Sequence, residues 1–213
     1  MIRIESHKMV RVPEGEFLFG FDQQRIILPA FFIDIHPVTN EDYLSFVEET
    51  GHYVPFLDEE WAIANCWQDG HYPSGKGRHP VVLVNFEDAS EYASWVGKRL
   101  PSDKEWEKAS RGIDGRDYPW GEDFIRGNCN TRESGIGTTI KAGQYPNGVS
   151  PYSCLDMAGN VWEWTSSEES PDRLIIKGGS FTRNYLAAQC AYKSAVPISH
   201  KGIDIGFRCV RDV

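Results

Sequence analysis

The sequence contains no pair of cysteines or histidines at the spacing that zinc sites use. Its five cysteines (Cys66, Cys129, Cys154, Cys190 and Cys209) are widely separated, and none forms a Cys-x-x-Cys motif. We therefore do not expect zinc. The odd count favours reduced thiols in a cytoplasmic protein, where most act as small buried side chains. One disulfide remains an alternative if the chain is exported.

Long apolar runs and an excess of positive charge are also missing. No run approaches the length that crosses a membrane, and the charged start of the chain, residues 1–8, lacks the apolar core of a secretory signal. The formal net charge of -9 argues against nucleic acid and anionic membrane surfaces as partners and is compatible with cation binding. We expect a cytoplasmic protein without membrane insertion.

The composition indicates a folded, loop-rich globule. Of the 213 residues, 40% are hydrophobic and 13% aromatic, which is enough to build a core. Twenty glycines and twelve prolines are spread along the chain, so regular structure should be limited. No repeat or linker divides the sequence, and we expect one domain over residues 1–213.

Three helices have recognisable start signals. Thr39 and Asn85 can each accept a hydrogen bond at a helix N-terminus, and Ser102 with Glu105 forms a capping box that opens a third helix ending at Gly112. From Gly112 to about residue 153 neither helical nor strand periodicity holds. Such a long loop needs an internal stabiliser, for which a cation or packed aromatic side chains are candidates.

Alternating or continuous apolar residues predict the strands. We expect two strands around the Pro-Glu-Gly turn of residues 9–20 and further strands at residues 30–35, 161–165, 174–176, 189–193 and 206–211. Helices early and a small sheet formed from both ends of the chain are typical of an α+β fold.

The segment GNVWEW at residues 159–164 carries the strongest chemical signal. Two tryptophans flank Glu163, and Asp156 lies seven residues upstream across a Gly-Asn turn. A carboxylate inside such an apolar strand needs a partner, and a hard cation is one. The alternative is that Glu163 pairs with an arginine or a backbone N–H while Trp162 and Trp164 fill the core.

These motifs resemble the formylglycine-generating enzyme, or sulfatase-modifying factor, family. The resemblance rests on RLPSDKEWEKASRG (99–112), YPWG (118–121), LDMAGNVWEWT (155–165), GGSF (178–181) and GFR (206–208), and it extends from about Val10 to Val210. It implies the loop-rich, C-type-lectin-like α+β fold of that family, often with calcium in the loops.

The resemblance also implies two calcium sites. The first would use the side chains of Asp156 and Glu163 and the carbonyls of Gly159 and Val161, which are the oxygen ligands that Ca²⁺ prefers. The second maps near Asn130 and Thr131, where the following loop, residues 132–139, departs from the family in length and sequence.

The catalytic part of the resemblance fails. Active family members hold copper with two cysteines after the Gly-Gly-Ser motif, because thiolates suit Cu(I). Here residues 182–189 contain no cysteine, and Cys190 and Cys209 occupy positions that are structural in the family. We therefore assign no catalytic residues and do not expect copper.

We therefore expect the functional site of this protein to be a binding surface. Loops within Phe181–Asp204 mix framework residues with exposed polar and aromatic side chains, a composition typical of adaptable recognition. The predicted contact residues are Thr182, Arg183, Asn184, Tyr185, Tyr192, Ser194, His200 and Asp204. The partner would be an unidentified protein or small molecule.

Two other functions stay open. One is an active oxidase of peptide cysteine in the same family, or a related enzyme with a diverged metal site. The other is a variable receptor, because the Phe181–Asp204 interval also resembles the region that retroelement-diversified proteins of this fold randomise. We favour the non-catalytic binding protein on a calcium-stabilised scaffold.

Overall fold

The computed structural model describes residues 8–213, so most of the N-terminal segment discussed above lies outside the described residues. Nine strands and three α-helices alternate with long loops in this part of the chain. In chain order they are β1 (Met9–Val12), β2 (Gly15–Phe19), β3 (Gln24–Leu28), β4 (Phe31–Asp34), α1 (Asn40–Thr50), α2 (Phe86–Trp95), α3 (Asp103–Arg111), β5 (Trp162–Ser170), β6 (Arg173–Lys177), β7 (Lys193–Pro197), β8 (Ile205–Gly206) and β9 (Val210–Asp212).

All three helix predictions are confirmed by complete capping boxes. Thr39, Asn85 and Ser102 each accept a hydrogen bond from the third residue of the helix, and the side chain at that third position accepts one from the cap backbone. Each such cap contributes about 1 kcal/mol to stability. Gly112 ends α3 as predicted, with a positive φ of 75°.

The strands form three sheets instead of one. The first pairs β1, β4 and β9 antiparallel, so that it joins both ends of the described chain as predicted. The hairpin of β2 and β3 stands alone, and β3 was missed because Gln24 and Arg25 break the apolar pattern. The third sheet has the order β7-β6-β5-β8, in which β5 and β8 run parallel.

The strand prediction for residues 189–193 is wrong. A short 3-10 turn occupies Tyr185–Ala188, and the strand begins only at Lys193 and ends at Pro197. Cys190 and Ala191 are buried like strand residues, because this turn packs inward against the long loop. The predicted strand at 206–211 is likewise two short strands, β8 and β9, separated by the buried residues Phe207, Arg208 and Cys209.

Residues 112–153 contain no α-helix or strand, as predicted. Three 3-10 turns order this loop, at Arg126–Asn128, Arg132–Ser134 and Pro146–Gly148. Within this loop Tyr118 is buried and stacks on Trp120, with ring centroids 5.3 Å apart. Aromatic anchors therefore supply part of the stabilisation that a loop of this length requires.

The core holds charges as well as apolar side chains. Glu163 on β5 and Arg208 before β9 are both completely buried, and both oxygens of Glu163 accept from the guanidinium, at 2.7 and 2.8 Å. The Trp106 indole donates to the same carboxylate at 2.7 Å. This hydrogen-bonded pair joins α3, β5 and the C-terminal segment.

Removing the cation of this pair should be costly. Replacing Arg208 by Met leaves a buried, uncompensated carboxylate, and we expect the free energy of unfolding to fall by about 3–5 kcal/mol. The matched control is Arg25→Met, which removes the exposed pair with Glu16 and should cost at most about 1 kcal/mol. Urea unfolding of both variants measures the difference, and equal small losses would contradict the assigned role of Arg208.

Candidate functional site

The Gly-Asn turn that precedes β5 brings the two predicted calcium sites together. Asn130 and Gly159 form a parallel bridge, and the Asn160 N–H donates to the Asn130 carbonyl at 2.7 Å. A Cβ at Gly159 would lie 2.5 Å from that carbonyl oxygen, and Gly159 has a φ of 75°. Only glycine permits this approach, so the motif glycine fixes the contact between the sites.

Asp156 has the properties expected of a cation ligand. Its carboxylate is buried and accepts a hydrogen bond from the Gly143 N–H at 2.6 Å. Burial raises the pKa of Asp156 to about 6, against the opposing effects of that hydrogen bond and of Arg208. A carboxylate in this environment gains from a bound cation, which would compensate its charge.

Glu163 is engaged differently from the prediction. Arg208 supplies the positive charge that the prediction assigned to calcium, and the Trp106 indole adds a third hydrogen bond. The arrangement corresponds to the alternative in which Glu163 pairs with an arginine. Trp162 and Trp164 are buried and fill the core, as that alternative requires.

The Asn130 side of the site contains buried oxygens without hydrogen-bond partners. These are Thr131 Oγ1 and Glu133 Oε2. Burial acts to raise the pKa of Glu133, but the nearby Thr131 hydroxyl and two backbone N–H groups hold that pKa below its usual value. Glu133 and Asp156 also both raise the pKa of Cys129, for which burial is the main cause. Thr131, Glu133 and Asp156 therefore all lie near enough to the buried Cys129 thiol to influence its pKa.

These donors fit a hard cation better than a soft one. Thr131, Glu133 and Asp156 offer oxygens, and the Asn130 side chain contributes an amide that already accepts from Ser134 at 2.8 Å. The Cys129 thiol is neutral at physiological pH, because burial raises its pKa to about 12. Glu133 was not among the predicted ligands, although it is the sole acidic residue between positions 124 and 155.

The predicted binding surface is attached directly to this region. The Arg132 backbone N–H donates to the Arg183 carbonyl at 2.8 Å, and the Arg132 guanidinium donates to the Thr182 carbonyl. Glu133 Oε1 accepts from the Tyr185 N–H at 3.2 Å. The turn at Arg132–Ser134 therefore holds the backbone of the Thr182–Tyr185 segment.

A second set of contacts fixes the start of the same segment. Asp204 Oδ2 accepts from the Ser180 hydroxyl at 2.7 Å and from the Thr182 hydroxyl at 2.6 Å. Arg183, Asn184 and Tyr185 are exposed beyond this anchor. The structure thus joins Thr182 with Asp204 as positioning residues and leaves the next three side chains available for contacts.

The other predicted contact residues lie elsewhere along the segment. Tyr192 is half-buried and packs against Trp162, with ring centroids 6.1 Å apart. Ser194 lies on β7 opposite Ile176, and His200 is exposed in the turn after β7. Next to Tyr185, the ring of Phe124 lies 5.1 Å away and Leu186 is exposed, and the sequence had assigned neither to the surface.

The five cysteines are buried and unbridged. Ser110 donates to the Cys190 sulfur at 3.0 Å, and burial raises the pKa of Cys190 to about 12 and that of Cys154 to about 11. Burial also raises the pKa of Cys209 well above its usual value. Reactive thiolate nucleophiles show the opposite pKa shift. The disulfide that the sequence left open does not form.

The raised pKa of Asp156 has a consequence for stability. A folded pKa near 6 lies above the ordinary value, so the charged form opposes folding, and stability should fall as pH rises from about 4 to 7. We expect metal-free Asp156→Asn to be more stable than metal-free wild type at pH 7.5 by about 2 kcal/mol, and the two to converge at pH 4. Urea unfolding in chelator across this pH range measures the effect, and a lower stability of Asp156→Asn at pH 7.5 would contradict it.

The relatives of the chain include a protein named as a formylglycine-generating enzyme, one named as its inactive counterpart and a protein kinase. It is 30% identical to the inactive C-alpha-formylglycine-generating enzyme 2 of Mus musculus (94% of this chain, 84% of the relative). It is 31% identical to the formylglycine-generating enzyme of Streptomyces coelicolor (95% and 88%). It is also 34% identical to the serine/threonine-protein kinase Pkn1 of Chlamydia trachomatis. That match covers 97% of this chain but only 38% of the kinase's length.

The fold is shared with solved structures at lower identity. PvdO from Pseudomonas aeruginosa superposes with a TM-score of 0.80 at 22% identity, over 96% of this chain and 94% of that one. Treponema denticola variable protein 1 gives 0.75 at 15% identity, over 96% and 95%. These values establish the C-type-lectin-like α+β fold alone. Within residues 8–213, no helix is both long and apolar enough to cross a membrane.

The family model described as the sulfatase-modifying factor enzyme 1-like domain matches residues 3–213, which is nearly the whole chain. The predicted family is therefore confirmed by the sequence as a whole as well as by its separate motifs. The chain belongs to the sulfatase-modifying factor, or formylglycine-generating enzyme, family.

Proposed function

We propose that this chain is a non-catalytic binding domain whose calcium-stabilised scaffold presents the Thr182–Tyr185 segment to a protein or small-molecule ligand. The observation that carries the proposal is the way this segment is held. Asp204 fixes one end and the turn at Arg132–Ser134 fixes the backbone, while Arg183, Asn184 and Tyr185 stay exposed. A preordered loop loses little entropy when it binds, which favours recognition.

The buried thiols support the absence of family oxidase chemistry. Cys190, the first cysteine after the Gly-Gly-Ser motif, is completely buried, and its sulfur accepts a hydrogen bond from the Ser110 hydroxyl. Its raised pKa keeps it protonated. The inactive mammalian relative provides a precedent for a family member named as inactive at similar identity.

Calcium would bind near the carboxylates of Asp156 and Glu133 and the hydroxyl of Thr131. Asp156, Glu133, Thr131 and Asn130 would supply side-chain oxygens, and the carbonyls of Gly159 and Val161 are further predicted ligands. The cation would offset the buried charge of Asp156 and order the turn that holds Tyr185 through Glu133. Glu163 would contribute through its charge pair with Arg208 and not as the main ligand.

Two exposed side chains of the Thr182–Tyr185 segment allow a direct test of the ligand surface. A peptide and glycan array identifies ligands, and their affinities are then measured for Arg183→Ala/Tyr185→Ala. We expect at least about tenfold weaker binding, because two exposed contact side chains are removed. The matched control is Arg25→Ala/Tyr53→Ala, which removes the same residue types at exposed positions outside the segment. Equal losses in both variants would overturn the proposed surface.

The rival oxidase function predicts a different result. Such an enzyme should bind Cu(I) at one equivalent and turn over a cysteine-containing peptide of sulfatase type. We expect no stoichiometric Cu(I) binding in competition with a chromogenic chelator and no aldehyde product by mass spectrometry. Tight binding that is lost in Cys190→Ser would establish the oxidase instead.

If the chain is a variable receptor, it still binds a ligand, but the identity of that ligand differs between strains. It is favoured by the likeness in fold to the Treponema variable protein and by the exposed residues of the 182–185 segment. The genomic neighbourhood decides it. A reverse transcriptase gene and a near-identical template repeat beside this gene would support a diversified receptor, and their absence would leave a fixed ligand specificity.

A further inference from the structure

The negative charge of this chain is concentrated in one segment. Residues 41–97 contain eleven Asp or Glu and two Lys or Arg, which gives a formal charge of -9. The rest of the chain contains twenty of each sign and is neutral. The acidic segment comprises α1, α2 and the loop between them, so the electrostatic field of the protein originates mainly from this side.

A cleft opens between the C-terminal end of α1 and one face of α2. The cleft is shallow and open to solvent, has a volume of about 710 Å³ and is lined by residues that include Phe46, His52, Glu87, Glu91 and Trp95. This volume lies in the range of sites that take a small ligand or a protein side chain. None of its lining residues belongs to the calcium region or to the Phe181–Asp204 segment.

The polar lining of the cleft is acidic. Glu87 and Glu91 lie one helical turn apart on α2, and both are exposed. The last turn of α1 contains no basic residue, so the negative end of the helix dipole is not offset by the helix's own side chains. Lys201 pairs with Asp88, the residue after Glu87, at 3.0 Å, and His52 Nε2 lies 3.5 Å from the same carboxylate.

Two aromatic rings line the other side, where Trp95 is partly exposed and Phe46 is buried. Phe46 lies 5.5 Å from Trp95 and 4.8 Å from His52, measured between ring centroids. His52 Nε2 lies 3.4 Å from Glu91 Oε2, which holds this carboxylate at the mouth of the cleft. Tyr53, next to His52, is 86% exposed although it is a large aromatic residue.

Carboxylates beside aromatic rings are the chemistry that recognises a guanidinium group. The planar cation stacks on an indole or phenol face and donates paired hydrogen bonds to a carboxylate. A lysine ammonium would share the charge attraction but would lose the stacking and the paired geometry. We propose that the α1–α2 cleft binds an arginine side chain presented by an exposed segment of a partner protein.

This site is separate from the proposed ligand surface and can be tested alone. The probe is an acetylated and amidated Gly-Arg-Gly-Arg-Gly peptide, titrated into the protein by calorimetry at low salt. Matched peptides contain lysine or neutral citrulline in place of arginine. We expect the arginine peptide to bind, the lysine peptide to bind at least about threefold more weakly, and the citrulline peptide to give no measurable heat.

Variants locate the binding in the cleft. Glu87→Gln/Glu91→Gln should weaken the arginine peptide by about tenfold or more, and Ser94→Lys should have a similar effect by placing a cation in the cleft. Glu122→Gln/Asp123→Asn makes the same change in net charge at exposed positions outside the acidic segment and should alter the affinity by less than about twofold. Thermal unfolding confirms that each variant is folded.

Four outcomes would overturn the proposal: no binding of the arginine peptide, equal losses in the two charge-matched double variants, equal binding of the lysine peptide, or equal binding of the citrulline peptide. The second would indicate attraction to net charge alone. Because calcium and the Thr182–Tyr185 segment are not involved, failure here would leave the proposed function unaffected.

Discussion

The fold depends on a set of charges buried around Trp106. On one side its indole donates to Glu163, which is paired with Arg208. On the other side Lys177 lies over the indole ring, 5.8 Å from its centroid, and pairs with Glu107 at 2.9 Å. These contacts join α3, the four-stranded sheet and the C-terminal strand. Buried ion pairs contribute modestly to net stability but impose one arrangement when every member is paired.

This network explains why the family motifs are present in a chain that lacks the cysteine pair. Three of the five motifs contribute a member, with Glu107 from the helix motif, Glu163 from GNVWEW and Arg208 from GFR, and Lys177 immediately precedes the Gly-Gly-Ser motif. The motifs therefore reflect the residues that build the scaffold. The loop at residues 182–189, which this scaffold holds, contains no cysteine and exposes Arg183, Asn184 and Tyr185.

Local signals predicted the helices well and the rest unevenly. Capping boxes at Thr39, Asn85 and Ser102 are encoded within four residues, so sequence alone sufficed. The pairing of Glu163 with Arg208 spans 45 residues and is invisible to any local pattern. The strand expected at 189–193 failed because burial of Cys190 comes from packing against the long loop and not from sheet pairing. Glu133 was missed for a similar reason, since its role depends on contacts with Tyr185.

The most direct measurement of the network is hydrogen exchange at the Trp106 indole N–H, followed by NMR. If Glu163, Arg208 and Trp106 form the constraint that holds the fold, this proton should exchange only when the whole domain unfolds, with the full urea dependence of global unfolding. The Trp120 indole, which donates to the Asp123 carbonyl at an exposed loop, should exchange much faster. Exchange of Trp106 as fast as that of Trp120 would contradict the central role of the network.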